Sequence, residues 1–221
     1  MSVAWYEALR SHPTARRLGP SFDPAPLVAD VARFDDPWWH RHAGPYHDGA
    51  WESVSLWSPR GDPAEQSSRG GAFAATPALA AAPALRAALD RFPHERNRIR
   101  LMRLRPGGHI MRHSDPLHTI DPRLVRLHIP VLTNPDVFFM VDDHRVVMQP
   151  GETWHVDVRF PHEVRNRGTT IRVHLVMDLV RDGALDRLLS DGMPMASGRL
   201  LGYYALHALP TRIRRGLGLG N

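Results

Sequence analysis

The sequence predicts a mainly β fold, an antiparallel sandwich or barrel with flanking helices, and three observations predict it. From Asn97 onward, short apolar runs alternate with turn signals: RIRLMRL, Pro106-Gly107-Gly108, LVRLHIPV, VFFMV, RVVM, Pro150-Gly151-Glu152, TWHVDV, HEVRN and TIRVHLVMD. Strands of this length at this spacing mark antiparallel sheets that pack on each other or close into a barrel. Up to about Phe92 the text reads instead as helical pieces and loops. After Asp178 it returns to a short helix, GALDRLLSDG, and a tail.

In chain order, AWYEALR and PAPLVADVARF read as helices. The stretch DDPWWHRHAGPYHDGAWESVSLWSP reads as an aromatic connection, and RGDPAEQSSRGG as an exposed loop. TPALAAAPALRAALDRF reads as one helix, capped by Thr76 with Pro77 at its first position. Leu85, Leu89 and Phe92 recur at helical spacing and give it one apolar face. The expectation is a single domain over 1–221. Residues 1–96 form a helical, aromatic portion packed on the barrel, 97–180 the β core, and 181–221 a helix and basic tail. In the tail, Leu200, Leu201, Tyr204 and Leu209 with Arg212, Arg214 and Arg215 make an amphipathic stretch, expected to dock on the barrel rather than on a membrane.

Composition narrows the chemistry. The chain has 221 residues, 43% of them hydrophobic, and can bury a core of its own. It has no cysteine, which removes disulfides, thiolate metal sites and cysteine nucleophiles. All 28 basic residues are arginine, so Schiff-base chemistry on a lysine is excluded as well. The net charge of +5 is carried by arginines scattered singly along the chain, a pattern that does not predict a nucleic-acid partner. No apolar run of about 18 residues and no basic leader near Met1 is visible; no membrane span and a cytoplasmic location are expected.

Parity then groups the polar residues of the strand region. In LVRLHIPV, Arg126 and His128 share one face and Val125, Leu127, Ile129 and Val131 the other; in TIRVHLVMD, Arg172 and His174 stand opposite Ile171, Val173, Leu175 and Met177. Two strands each presenting Arg-x-His point to a polar, cationic interior, a pocket for an anion and a metal. The alternative is a pair of ordinary wet faces. His113-x-Asp115, in GGHIMRHSDPLHTI, offers two ligands pointing the same way from an extended segment. With one distant histidine they make the two-histidine, one-carboxylate arrangement that leaves positions open on Fe(II). His162, in RFPHEVRN, is the candidate third ligand; His155, beside Trp154, competes and is read as sheet packing or an outer partner of the site. Asp115 has a plainer reading too, as a cap for the turn at Pro116.

The stretches RLRPGGHIMRHSD, RLHIPVLTN, PGETWHVD and HEVRNRGTTIRVHLVMD occur in order between about Arg98 and Asp178. This segment resembles the aspartyl/asparaginyl β-hydroxylase family of Fe(II)- and 2-oxoglutarate-dependent oxygenases, and GAWESVSLWSPRG upstream is similar to the family's N-terminal portion. The resemblance implies a double-stranded β-helix, the jelly roll of the cupins. It implies that His113 and His162 bind iron, that Arg172 holds the distal carboxylate of 2-oxoglutarate, and that Arg126 and His128 lie near the other end of the co-substrate. His174 shares the face of Arg172 and joins that set. Some members lack the carboxylate ligand; Asp115 stands where related amino-acid hydroxylases carry it, so a complete triad is expected.

The activity implied is hydroxylation with O2, coupled to decarboxylation of 2-oxoglutarate to succinate. The expected substrate is a small amino acid, or an Asp or Asn residue of a short peptide, with Trp39, Trp51 and Arg103 contributing to its wall. The second reading is a cupin-type barrel whose metal serves a sensor or isomerase site; it leaves Arg172 without a task.

Overall fold

The computed structural model describes residues 14–189 except 116–117, 119–120 and 143. The expected helix at AWYEALR and the amphipathic tail from Leu200 lie outside the described residues.

Two antiparallel sheets face each other. The larger one runs in the order β1 (Ala15–Ser21), β10 (Glu152–Val156), β7 (Leu124–Leu132), β12 (Arg172–Val180), β5 (Arg96–Leu104), β3 (Trp51–Pro59), β2 (His40–Arg41), with β4 (Phe73–Ala75) beside β3. The smaller one runs β6 (His109–His113), β11 (His162–Asn166), β8 (Val137–Val141), β9 (His144–Val146). This is the expected jelly roll. The N-terminal portion is more than helices packed on a barrel, however, because β3 is a nine-residue strand in the large sheet, paired with β5 from Trp51↔Leu104 to Trp57↔Ile99.

The outer face of the large sheet carries Val54, Leu56, Ile99, Leu101, Leu127, Ile129, Leu175 and Met177, all fully buried. Helix α1 (Pro24–Val31) packs there against β7 and against α3 (Pro83–Asp90), bringing Leu27, Val31, Leu85 and Leu89 onto this apolar layer. The single helix expected from Thr76 is two: α2 (Pro77–Ala80), capped by Thr76 Oγ1 accepting from Leu79 N, and α3. Pro83 breaks it, since proline cannot donate to the preceding turn and keeps Ala82 out of the helical region, at φ −126° and ψ 76°. Ala82 has no side chain to cap α3, and Asp30 of α1 does so instead, accepting from Ala84 N at 2.7 Å and Leu85 N at 2.9 Å. A last helix, α4 (Gly183–Leu189), follows β12. No helix among the described residues is long and apolar enough to cross a membrane.

The turn before β10 depends on a glycine. Gly151 has φ +80°, and a Cβ there would stand 2.0 Å from the Phe22 carbonyl oxygen, while its own N–H donates to Pro130 O at 2.9 Å. Gly151→Ala is expected to cost at least about 1–3 kcal/mol, the range for a non-glycine forced into this region. A lowered urea midpoint at constant slope would register it; an unchanged midpoint would show that the β1–β10 edge yields without penalty.

Candidate active site

The inner face of the large sheet is polar where its outer face is apolar. Alternation turns Arg98, Arg100 and Met102 of β5, Arg126 and His128 of β7, and Arg172, His174 and Asp178 of β12 toward the small sheet. None of these is a wet face: Arg126 is 6% exposed, Arg172 2% and Asp178 0%. His128 lies edge-on to Phe139 of β8 at 5.6 Å, so the two sheets close over this layer.

At one end of it, β6 and β11 pair with His162 directly opposite His113. The two rings are 4.3 Å apart, and Asp115, just past the end of β6, sets its Oδ1 3.5 Å from His113 Nε2. Ligand atoms of His113, Asp115 and His162 all lie within 4.8 Å of one another. That is close to the span one divalent ion bridges with bonds of about 2.0–2.2 Å. The side chain of Asp115 bonds Arg126; the turn at Pro116 lies outside the described residues. Both histidines have a fixed tautomer. His113 Nδ1 bonds the Met111 carbonyl at 2.7 Å and His162 Nδ1 the Phe160 carbonyl at 3.1 Å. A carbonyl only accepts, so in the neutral ring the proton sits on Nδ1 and Nε2 carries the lone pair a metal needs.

Burial, above all other influences, holds His162 neutral, down to about 4. It does the same for His155, also to about 4, and takes His42 to about 2. The unfolded chain protonates such rings near 6.5, the folded one only far below, so unfolding takes up protons throughout that window. The metal-free protein is therefore expected to lose thermal stability steadily as pH falls from about 6.5 toward 4. A melting temperature flat across that range would contradict the buried, neutral placement of these rings.

A cavity of about 220 Å³ opens on His113 and Asp115. Its walls are Tyr46, which stacks on His113 at 4.9 Å, Trp51, which stacks on His42 at 3.5 Å, and three arginines, Arg98, Arg100 and Arg126. The arginines converge on Asp178: Arg126 Nε and Nη2 donate to it at 2.7 and 2.9 Å, Arg98 Nη2 at 3.0 Å, and Arg100 Nη2 stands at 3.7 Å. His118 Nε2 completes the ring at 3.2 Å. Burial disfavours the charge on Asp178, but Arg126 and its neighbours outweigh this and hold the carboxyl well below its usual range; Asp115 behaves likewise beside Arg126. Among the described residues three arginines thus face two carboxylates, and the Nε atoms of Arg98 and Arg100 are buried without a partner.

Further along the same layer, Arg172 is buried with its Nε unpartnered and Nη2 2.8 Å from His174 Nδ1. Among the described residues no carboxylate pairs with it, and burial alone pulls its guanidinium down to about 9, still a cation at neutral pH. Burial, then the charge of Arg172, keeps His128 and His174 neutral, and among the described residues both ring nitrogens of His128 lack a partner. A buried cation and orphaned donors between Phe139 and the metal-ligand cluster fit a bound dicarboxylate, which would supply the missing acceptors. His174 also lines a second cavity of about 360 Å³ with Phe139, Asn134, Arg145 and Gln149.

The structure therefore brings together His113, Asp115 and His162, and it sets Arg172, His128 and His174 side by side. Arg126, expected near the other end of the co-substrate, pairs with Asp115 and Asp178. Two other expectations need correction. Trp39 and Arg103 do not line the site: Arg103 alternates with Met102 onto the far face of β5, lies over the Trp39 ring at 4.4 Å, and pairs with Glu52 at 2.8 Å and Asp36 at 2.9 Å. Trp51 does line the cavity. His155 lies opposite Leu127, on the apolar face away from the cluster. Asn166 ties backbone, donating to Thr170 O at 2.8 Å and Leu104 O at 3.2 Å.

A jelly roll of this build, two histidines and a carboxylate beside a buried arginine, defines a 2-oxoglutarate- and Fe(II)-dependent oxygenase. The family model described as aspartyl/asparaginyl β-hydroxylase matches residues 29–182, and the chain belongs to that family. No curated protein matches it in sequence. Among solved structures, an oxidoreductase of the 2OG-Fe(II) oxygenase family from Burkholderia pseudomallei is 16% identical with a TM-score of 0.52, covering 80% of this chain and 90% of its own. SnoN, a non-heme α-ketoglutarate-dependent epimerase from nogalamycin biosynthesis, is 11% identical with a TM-score of 0.52, covering 87% and 92%. Likeness at this identity speaks to the fold.

Proposed function

We propose that the protein hydroxylates a small amino acid, or an Asp or Asn residue of a short peptide. In this reading His113, Asp115 and His162 hold Fe(II), and Arg172 holds the far carboxylate of 2-oxoglutarate with His128 and His174 beside it. The observation that carries the substrate class is the excess of three arginines over two carboxylates around the cavity that has His113 and Asp115 in its wall. An anionic group on the substrate supplies the missing charge. The cavity's size, roughly seven water volumes, suits one small residue more than a folded segment.

Bound iron supplies oxygen activation coupled to loss of CO2 from the 2-oxo acid. The chain's own contribution is orientation and exclusion of water. Two backbone carbonyls aim the imidazoles, a buried guanidinium anchors the co-substrate, and Trp51 and Tyr46 wall the substrate side. Arg172 also favours this reading over a metal sensor or isomerase, which has no use for a buried, unpaired cation.

The direct test is a mass-spectrometric screen for a gain of one oxygen across free amino acids and Asp- or Asn-containing peptides, with succinate release measured alongside. Turnover confined to substrates without a carboxylate would contradict the substrate class and leave the oxygenase intact. With the substrate in hand, Arg100→Gln is expected to raise its apparent KM roughly 10- to 100-fold, since a hydrogen bond to a charged group is worth about 1.5–3 kcal/mol. The KM for 2-oxoglutarate should move little. A change confined to the co-substrate would reassign Arg100.

A further inference from the structure

We infer that Asp178 and Arg126 are positioning residues that preset Asp115 as a one-oxygen metal ligand, an inference that rests on the metal-site reading above. Asp178, with no exposed surface, takes two donors of Arg126 as a fork, Nε on Oδ1 and Nη2 on Oδ2. Arg98 holds Asp178 from another side, and His118 Nε2 stands 3.2 Å from it. The remaining arm of Arg126, Nη1, bonds Asp115 Oδ2. Asp115 is pinned a second time through its backbone, whose N–H donates to Val158 O at 2.9 Å. Its outer oxygen and its backbone are thus both committed, and Oδ1 alone is left on the side of His113 Nε2.

This arrangement has a chemical consequence. A carboxylate binding through both oxygens would occupy an additional position on the ion, and the chemistry of a two-histidine, one-carboxylate site depends on open positions. By holding Oδ2, Arg126 keeps Asp115 to one bond, and by being itself forked onto Asp178 it holds that geometry before any metal arrives. Lysine cannot substitute, because an ammonium on a flexible stem does not present a planar fork and a third donor at once.

A double-mutant cycle read by Mn(II) affinity of the 2-oxoglutarate-free protein tests this. Arg126→Lys and Asp178→Asn are each expected to weaken Mn(II) binding about 10- to 100-fold, the usual effect of losing an outer partner of a ligand. In an Asp115→Ala background neither should have further effect, because both act through that carboxylate. Equal effects in both backgrounds overturn the inference, as does Mn(II) binding unchanged by Arg126→Lys with only 2-oxoglutarate affinity reduced. A crystal structure of the unaltered chain with Mn(II) reads the same point without any substitution. One Asp115 oxygen on the metal and the other on Arg126 supports the inference; both on the metal contradict it. If the unaltered chain takes up no Mn(II) and His162→Ala changes nothing, the metal-site reading fails and the inference falls with it.

Discussion

His162→Ala is expected to abolish metal-dependent succinate production. His162 is buried at the start of β11, faces His113 across one register position, and keeps its Nε2 lone pair because Nδ1 is tied to Phe160 O. Its removal leaves one histidine and one carboxylate, so the loss should exceed the roughly 10- to 100-fold typical of losing an outer partner of a ligand. Metal content and turnover, measured on the same preparation, should fall together. His155→Gln, on the opposite face of its sheet, is the matched control and should keep its metal. Near-normal turnover by His162→Ala would remove it from the ligand set.

Arg172→Leu is the second large effect, and it separates function from stability. Loss of a charge-assisted contact worth about 1.5–3 kcal/mol should raise the apparent KM for 2-oxoglutarate roughly 10- to 100-fold while metal affinity stays close to that of the unaltered chain. In most buried positions losing a charge destabilises because its partner is left behind. Arg172 has no carboxylate partner among the described residues, so the co-substrate-free variant is expected to melt no lower than the parent, and higher if packing at Phe139 adapts. An unchanged co-substrate titration would mean that another cation holds the distal carboxylate. A large drop in melting temperature would mean that Arg172 is structural.

Most of the β core was legible because turn signals and period-two alternation coincide after Asn97, and the same alternation put Arg126, His128, Arg172 and His174 on one face. β3 was not legible for a physical reason. WESVSLWSP is buried along nearly its whole length, so it lacks the alternation of a half-wet strand, and it sits among helices. The break at Pro83 was readable from proline alone and was overridden by the apolar spacing of Leu85 and Leu89.

The charge hub obeys the same alternation. Asp178 continues the face of Arg172 and His174, and Arg98 and Arg100 share a face in RNRIRLMRL, so parity extended to both strands finds all three. The Arg126–Asp115 bond joins a strand to a segment beyond another strand, and nothing local encodes it. Trp39 and Arg103 failed as wall residues because composition carries no direction. One register step along β5 separates Arg103 from the inner face that Met102 occupies.

In the proposed function one interior holds both the metal and the 2-oxo acid. The most direct measurement is visible absorption of the protein titrated anaerobically with Fe(II) and then with 2-oxoglutarate. The expected result is a weak metal-to-keto-acid charge-transfer band that grows to one equivalent, disappears in His162→Ala, and in Arg172→Leu requires roughly 10- to 100-fold more 2-oxoglutarate to saturate. Iron-loaded protein that shows no band at any 2-oxoglutarate concentration would contradict the account.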